Sequence, residues 1–536
     1  MRPSVTLRKP GDAGARLARC GPALYTAAMN EHHYRGDVPP EEFNMAAFCL
    51  APAPHRDPAR IALTIEHGEG QPDRWSYAAL DRAVQGIAAG LVARGLAKGD
   101  RVLIRMGNTP EAALMFFGAI AGGLVPVPTS AQLTAPEAAF VLENSGAVLI
   151  ALSQDLPIDS GQTPTLLPPD IAEMAQTPGV GYADTHKDDP AFLVYTSGTS
   201  GTPKGVLHAH RSVWGRKPMV DGWYGLTPDD VMVHAGAVNW TYTLGVGLSD
   251  PWANGAATVL YNGPKDINVW PRLIRVHKGT LFAAVPSLYR QLLRDSDISD
   301  GIPTLRHGLT AGEPLPDQVA AVWASTTGLP LFEALGMSEC STYISSGPVT
   351  PPRPGSPGRP QPGRCVAILP ADETVDATPL PPGETGLLAV HRTDPALMLG
   401  YWKRPEEDAQ VWRGDWFCGG DLAHMDEDGY VWFEGRADDV MNAQGYRVSP
   451  AEVEAALLSH HGVHEVAVRE VEVSSGVHLI AAFVKPEGTT PEIADLLAHA
   501  ANNLAPYKRP REIRFLDELP RTANGKLARK QLPRRL

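Results

Sequence analysis

The chain has 536 residues, which at roughly 150 residues per domain predicts two to four domains or subdomains. Hydrophobic residues at 43% and charged residues at 20% exclude disorder as the main state. Against 47 Lys and Arg stand 60 Asp and Glu, a net charge of −13, which excludes the basic surface that nucleic acids or anionic membranes require.

Five cysteines (Cys20, Cys49, Cys340, Cys365 and Cys418) form no C-x-x-C pair, so neither a structural zinc site nor a disulfide framework is predicted. Such sparse cysteines suit a reducing compartment, and a cytoplasmic protein is expected. Residues 1–30 carry Arg2, Arg8, Lys9, Arg16 and Arg19 against Asp12, without the apolar stretch of a secretory signal. Residues 1–44 read as an irregular N-terminal extension rather than a targeting peptide.

Residues 76–97 carry apolar side chains at three- and four-residue spacing and predict an amphipathic helix. Val102–Arg105 predicts a buried strand. The pattern then alternates: helix at Glu111–Ala121, strand at Val125–Pro128, helix at Pro136–Ser145, strand at Val148–Leu152. The run Ala112–Pro128 is the longest apolar one, but its glycines and prolines fit a buried helix entering a strand, not a membrane span. Strands alternating with helices imply parallel sheets covered on both faces.

Residues 153–190, rich in Pro, Asp, Gln and Thr, predict a surface connection. Alternation resumes at Phe192. The proline-dense stretch 348–363 cannot form a helix or central strand and leads into a β-rich segment, 364–435. There Asp428–Gly429 predicts a hairpin turn between Leu422–Met425 and Tyr430–Phe433. A small unit of alternating elements follows: helix Pro450–His460, strand Val463–Val471, strand Ile480–Val484 and helix Pro491–Asn503. The fold class is therefore α/β. A large domain, 1–437, combines parallel and mixed sheets flanked by helices with a β-rich subdomain, and a small α+β domain spans 438–536.

The strongest local motif follows the strand Phe192–Val194: Thr196-Ser197-Gly198-Thr199-Ser200-Gly201-Thr202-Pro203-Lys204-Gly205. Its glycines let backbone amides approach a phosphate chain, its hydroxyls add donors, and Lys204 adds a positive charge. It is not a Walker A loop, because Lys204 precedes the second glycine and three residues separate Gly201 from Gly205.

This motif resembles the phosphate loop of the adenylate-forming ligases, the superfamily of acyl- and aryl-CoA synthetases, luciferases and adenylation domains. Three further motifs appear in the order that resemblance requires. Glu333-Ala334-Leu335-Gly336-Met337-Ser338-Glu339 is similar to the aromatic-Gly-x-Thr/Ser-Glu motif, with Leu335 where many relatives carry a ring against adenine. The resemblance implies that Ser338 touches phosphate and that Glu339 ligates Mg²⁺, a hard cation that prefers oxygen. Gly312-Glu313-Pro314 resembles the turn beside the adenine. Gly420-Asp421-Leu422, with Gly435-Arg436, resembles the ribose motif, and Asp421 and Arg436 are the implied ribose contacts.

Pro520-Arg521-Thr522-Ala523-Asn524-Gly525-Lys526 matches the C-terminal motif. The resemblance makes Lys526 the residue that meets the acid's carboxylate and the α-phosphate, where a fixed ammonium offsets the repulsion of two anions. Asp438 falls on the hinge position, and Gly445, Tyr446 and Arg447 on the face implied for CoA.

What the resemblance implies is a two-step ligase using ATP, Mg²⁺ and CoA. A carboxylic acid forms an acyl-adenylate and pyrophosphate, and CoA then displaces AMP. An acid pocket is expected from Asn239, Trp240, Thr241, Tyr242, Leu309 and Gly336, with Gly336 leaving room for a chain or ring. No Lys or Arg is evident in that lining, so a medium-chain, branched or aromatic monocarboxylate is expected. The alternatives are an enzyme that loads a carrier protein and an inactive nucleotide-binding relative. The expected partners are small molecules, the acid and CoA, with neither nucleic acid nor integral membrane contact, and the resemblance admits a homodimer.

Overall fold

A computed structural model describes residues 33–536 except 157, 197–202, 297, 299–301, 373–374, 438–440, 444–445, 449, 475–476, 505–507, 522–526 and 536. Arg101–Arg105, Val125–Pro128, Leu149–Leu152 and Thr165–Leu166 form a four-stranded parallel sheet. Helix Pro110–Ala121 is apolar all round, and every residue but Glu111 is buried, as a helix with no polar face must be. Pro110 occupies the first turn and the Thr109 hydroxyl accepts from the Ala112 amide at 3.4 Å, which fixes where the helix starts. Helix Tyr77–Ala93 packs along it with Leu80, Val84, Ile87 and Leu91 in the same core.

A nine-stranded sheet forms the second layer. Its six central strands, Leu331–Met337, His307–Ala311, Leu281–Ala284, Val231–His234, Ala257–Asn262 and Ile61–His67, run parallel. Antiparallel strands close both edges: Asp73–Ser76 on one side, Ser341–Ser345 and Arg359–Pro360 on the other. The β-rich segment is an antiparallel sheet of Val366–Leu369, Gly386–His391, Trp412–Arg413, Trp416–Met425 and Val431–Arg436. Gly429 makes its hairpin turn at φ 81°, the conformation its sequence predicts.

The C-terminal unit has its own interior. Strands Val463–Ser474, Val477–Pro486 and Glu512–Phe515 carry helices Pro450–Leu458 and Ile493–Asn503, and every residue of its two apolar clusters lies at or after Met441. The hinge candidate Asp438 lies outside the described residues. Among the described residues no helix is long and apolar enough to cross a membrane.

Two segments differ from their sequence reading. Residues 153–190 are not only connection: Pro168–Ala175 is a helix that buries Ile171 and Met174. Its two leading prolines occupy the first turn, where a missing N–H is harmless. The strand Glu512–Phe515 was hidden because four residues are too few for a periodicity.

The joint between the large sheet and the β-rich sheet is a fully buried ion pair. Arg364 Nη1 lies 2.8 Å from Asp394 Oδ2, and both side chains are 0% exposed. The same guanidinium donates to the carbonyls of Gly215 and Thr342 and to Gln361 Oε1. Asp394→Ala strands this cation in the interior and is expected to lower the unfolding free energy by roughly 3–5 kcal/mol in urea titrations. A loss below about 1 kcal/mol would mean that water or another group takes over the charge.

Candidate active site

Strands Pro190–Thr196 and Lys204–Ala209 pair antiparallel, with Thr196 opposite Lys204 and Tyr195 opposite Gly205. The phosphate-loop candidates Ser197, Gly198, Thr199 and Thr202 lie between them, outside the described residues. The hairpin places Lys204 beside two residues that no motif announced. Its Nζ is 2.5 Å from Glu407 Oε2 and 5.0 Å from the centroid of the Tyr401 ring. The hydrogen bond from Lys204 holds the Glu407 carboxyl below its ordinary range.

Tyr401 then connects this hairpin to the second motif, because its hydroxyl donates to Glu339 Oε1 at 2.8 Å. The Met398 amide donates to the Glu339 carbonyl at 2.8 Å, and His208 Nε2 bonds the Ser338 carbonyl at 2.8 Å. The Ser338–Glu339 turn is thus gripped from both sides. One Glu339 oxygen carries the Tyr401 bond. The oxygen-only donor set suits Mg²⁺, which is held by one or two carboxylates plus substrate phosphates. Among the described residues no group of three or more His, Cys, Asp or Glu is placed to hold a metal by itself.

The adenine candidates converge through sheet register. His307–Ala311 and Leu331–Met337 pair Thr310 with Glu333 and Ala311 with Ala334, so the turn Gly312-Glu313-Pro314 emerges beside Glu333, Ala334 and Leu335. Glu333 Oε1 accepts the Leu315 amide at 2.9 Å. Burial pushes its carboxyl up to about 7, against the pull of that amide.

The ribose candidates also meet. Asp421 and Arg436 are cross-strand partners, Arg436 Nη1 lies 2.9 Å from Asp421 Oδ1, and it also donates to the Gly419 carbonyl. The buried phenol of Tyr343 lies within electrostatic reach of Asp421, Arg436 and Glu339, so the second and third motifs share one neighbourhood.

Lys526 and Gly445 lie outside the described residues, and Tyr446 and Arg447 are placed by backbone alone, in the strand Tyr446–Val448 paired with Met441–Ala443.

The acid-pocket residues divide. Tyr242 is built into the core, stacked on Trp223 at 6.1 Å and edge-on to His234 at 4.7 Å, with its hydroxyl on the Leu309 carbonyl. Trp240 is half-buried, and its carbonyl accepts the Leu244 amide as the next helical segment begins. Gly336 does not open a pocket. A Cβ there would sit 2.4 Å from the Ser341 carbonyl oxygen and 2.5 Å from Thr342 Cα, so the neighbouring strand takes the space. The cavity lies one step further on, bordered by Thr241, Leu244, Ser338 and Ser341 and reaching His208 and Arg216. This cavity, which shares only Thr241 with the expected lining, is bordered by a cation. Arg216 carries no net charge into it, being paired with Asp250 at 2.7 Å.

Sequence reasoning missed Tyr401, Glu407, His208 and Arg216. Arg216 carries no distinguishing signal, since Arg211 and Lys217 follow the phosphate loop as well, and all four need the tertiary contacts.

The AMP-binding enzyme profile matches residues 50–402, and the AMP-binding enzyme C-terminal domain profile matches residues 452–526. An uncharacterized acyl–CoA ligase, YtcI, of Bacillus subtilis is 32% identical over 89% of this chain and 93% of its own length. The benzoate–CoA ligase of Thauera aromatica is 34% identical over 82% of this chain and 86% of its own. The crystal structure of ATP-bound MatB from Rhodopseudomonas palustris superposes with a TM-score of 0.83 at 28% identity, over 92% of this chain and 98% of that one.

The raised Glu333 carboxyl gives a signed pH dependence. Below about pH 4.5 the folded and unfolded states both hold the proton, and Glu333 contributes nothing. Between about 4.5 and 7 only the folded state keeps it, so stability falls as pH rises and the full cost is present above 7, at most about 3 kcal/mol. Glu333→Gln keeps an acceptor for Leu315 and removes the titration. Relative to wild type it is expected to gain stability in denaturant melts as pH moves from 5 to 8. Parallel curves for the two proteins would contradict this.

Proposed function

Because this chain belongs to the AMP-binding enzyme family, we propose that its clustered motifs make it an ATP-dependent acid–CoA ligase, forming an acyl-adenylate and then a thioester. The observation that carries the reading is the continuous contact from Lys204 through Tyr401 to Glu339, beside the preformed Asp421–Arg436 pair.

In the first step a carboxylate oxygen of the acid attacks the α-phosphorus of ATP, the bond to the β-phosphate oxygen breaks, and pyrophosphate leaves. Such a transfer needs positioning and charge neutralisation rather than a covalent side chain. Thr196, Ser197, Gly198, Thr199 and Thr202 wrap the phosphates, and Lys204 faces their charge. Gly312, Glu313 and Pro314 with Glu333, Ala334 and Leu335 frame the adenine, and Asp421 and Arg436 take the ribose. Ser338 donates to phosphate. Glu339 holds Mg²⁺, which neutralises phosphate charge when bound. Lys526 stands between the two reacting anions.

In the second step the CoA sulfur attacks the adenylate carbonyl, and the carbonyl–phosphate oxygen bond breaks to release AMP. The domain boundary is set at Asp438, where the small domain turns to exchange Lys526 for Gly445, Tyr446 and Arg447. The separate interior of the C-terminal unit supports that motion. The acid is an aromatic, branched or medium-chain monocarboxylate, a reading supported by the benzoate–CoA ligase relative and by a cavity whose one cation is already neutralised. The setting assigned to this chemistry is the cytoplasm, and the assembly a homodimer, which rests on family resemblance alone.

AMP release is measured with MgATP over a panel of acids, with and without CoA. Release that needs both an acid and CoA is the expected result. Adenylate formed without any CoA dependence would transfer the acceptor role to a carrier protein. Lys526→Ala is expected to slow adenylation by about 10²-fold or more while still converting supplied acyl-adenylate and CoA to thioester. Equal loss in both half-reactions would remove Lys526 from its assigned step. Tyr401→Phe keeps the ring beside Lys204 but frees Glu339. It is expected to lower kcat/KM for MgATP about tenfold and to raise the Mg²⁺ concentration needed, and an unchanged Mg²⁺ titration would separate Tyr401 from the metal.

A further inference from the structure

Two buried Arg–Asp pairs touch the strand Ser341–Ser345, and they differ in one respect. Arg364 uses all five of its N–H donors: one to Gln361, one to Asp394, one to the Cys340 sulfur at 4.0 Å, and two to the Gly215 and Thr342 carbonyls. Arg216 uses three. Its Nε and Nη2 donate to the two Asp250 oxygens at 2.7 Å, and its Nη1 donates to Ser341 Oγ. Two N–H groups of Arg216 have no acceptor among the described residues, and its side chain borders the cavity.

The guanidinium is held in place by construction. Asp250 is held in turn by the Tyr224 hydroxyl, which donates to the same Oδ2 at 2.7 Å. Gly245 has no side chain where the guanidinium lies: a Cβ there would be 2.1 Å from Nη2. Ser341, two residues past Glu339, sits at φ 69°, one of three non-glycine residues with positive φ among the described ones. Strain of this kind persists where the surroundings over-determine a side chain's position.

His208 borders the same cavity. His208 is 3% exposed and stacked on Phe192 at 4.6 Å. Its Nε2 bonds the Ser338 carbonyl, which can only accept, so Nε2 carries the proton and Nδ1 is a bare lone pair. Nδ1 has no partner among the described residues. Burial pulls the imidazole down to about 4, so it stays neutral.

Resting on the ligase reading, we propose that this cavity receives the far end of the acid and selects a hydroxylated one, whose hydroxyl oxygen accepts from Arg216 and whose proton goes to His208 Nδ1, with Ser341 completing the site. A hydroxyl is a small neutral group that satisfies a donor and an acceptor together. A carbonyl leaves His208 bare. A second carboxylate adds a charge that Arg216, already matched by Asp250, does not balance. A site built around a substrate hydroxyl discriminates strongly against the analogue without it, because its own buried groups are then left unpaired.

The test is CoA-dependent AMP formation by the full chain on matched pairs: benzoate with its three hydroxybenzoates, and hexanoate with its hydroxyhexanoates, plus adipate. In at least one pair the hydroxylated member is expected to have a kcat/KM at least tenfold higher, and adipate is expected to be poorer than either. His208→Phe and Ser341→Gly are each expected to reduce that ratio to threefold or less. Ser341→Gly also relaxes the backbone, so it keeps the fold where a change at Arg216 leaves Asp250 unpaired. An active wild type that prefers no hydroxylated acid overturns the proposal and leaves the ligase intact, as does a preference that both variants retain. No CoA-dependent AMP with any acid overturns the ligase reading and this proposal together.

Discussion

The segments at Gly215, Thr342 and Asp394 are anchored to one buried cation, Arg364. Its charge is matched by Asp394, and its remaining donors end on Gln361 Oε1, the Cys340 sulfur and the Gly215 and Thr342 carbonyls. A lone buried charge costs several kcal/mol, whereas a pair whose every donor is satisfied is tolerated and fixes geometry. Arg364 therefore holds the segment at Gly215, the edge strand at Thr342 and the β-rich sheet at Asp394 in one relation. The Glu339 turn precedes Thr342 by three residues, so the turn is placed by the same joint.

That joint explains how side chains two hundred residues apart are brought to one point. The short strand Gly400–Tyr401 pairs with Lys204–Ala209, Gly400 opposite Leu207 and Tyr401 opposite Val206. Tyr401 can then touch Lys204 with its ring and Glu339 with its hydroxyl. The tyrosine bridges a loop that handles phosphate and a carboxylate suited to a metal, and a single side chain couples their positions.

The legible part of the protein was the part written in local strings. The phosphate loop, the Glu333–Glu339 run, the Asp421 turn and the Lys526 tail are each contiguous, and alternating apolar runs gave the helices and strands around them. What escaped depends on register or on distance in the chain. Gly336 looked like vacant space because its occupant, the backbone of Ser341–Thr342, is known only once the edge strand pairs Gly336 with Thr342 across a bulge. Tyr401 and Glu407 sit in no motif and gain their partners from the pairing just described. Asp250 sits in no motif, and nothing local says that its carboxylate reaches Arg216, thirty-four residues earlier.

The two buried ion pairs also show why charge balance alone does not assign a role. Both arginines are neutralised, and both touch the same strand, one at the Ser341 hydroxyl and one at the Thr342 carbonyl. Arg364, with every donor used, can only hold structure. Arg216, with donors to spare at the wall of a cavity that His208 also borders, is unfinished as structure among the described residues. Buried polar groups that stay incomplete cost stability, so a folded chain keeps them where something else completes them. For a protein that must hold one end of its substrate against ATP, that completion falls to the substrate's other end.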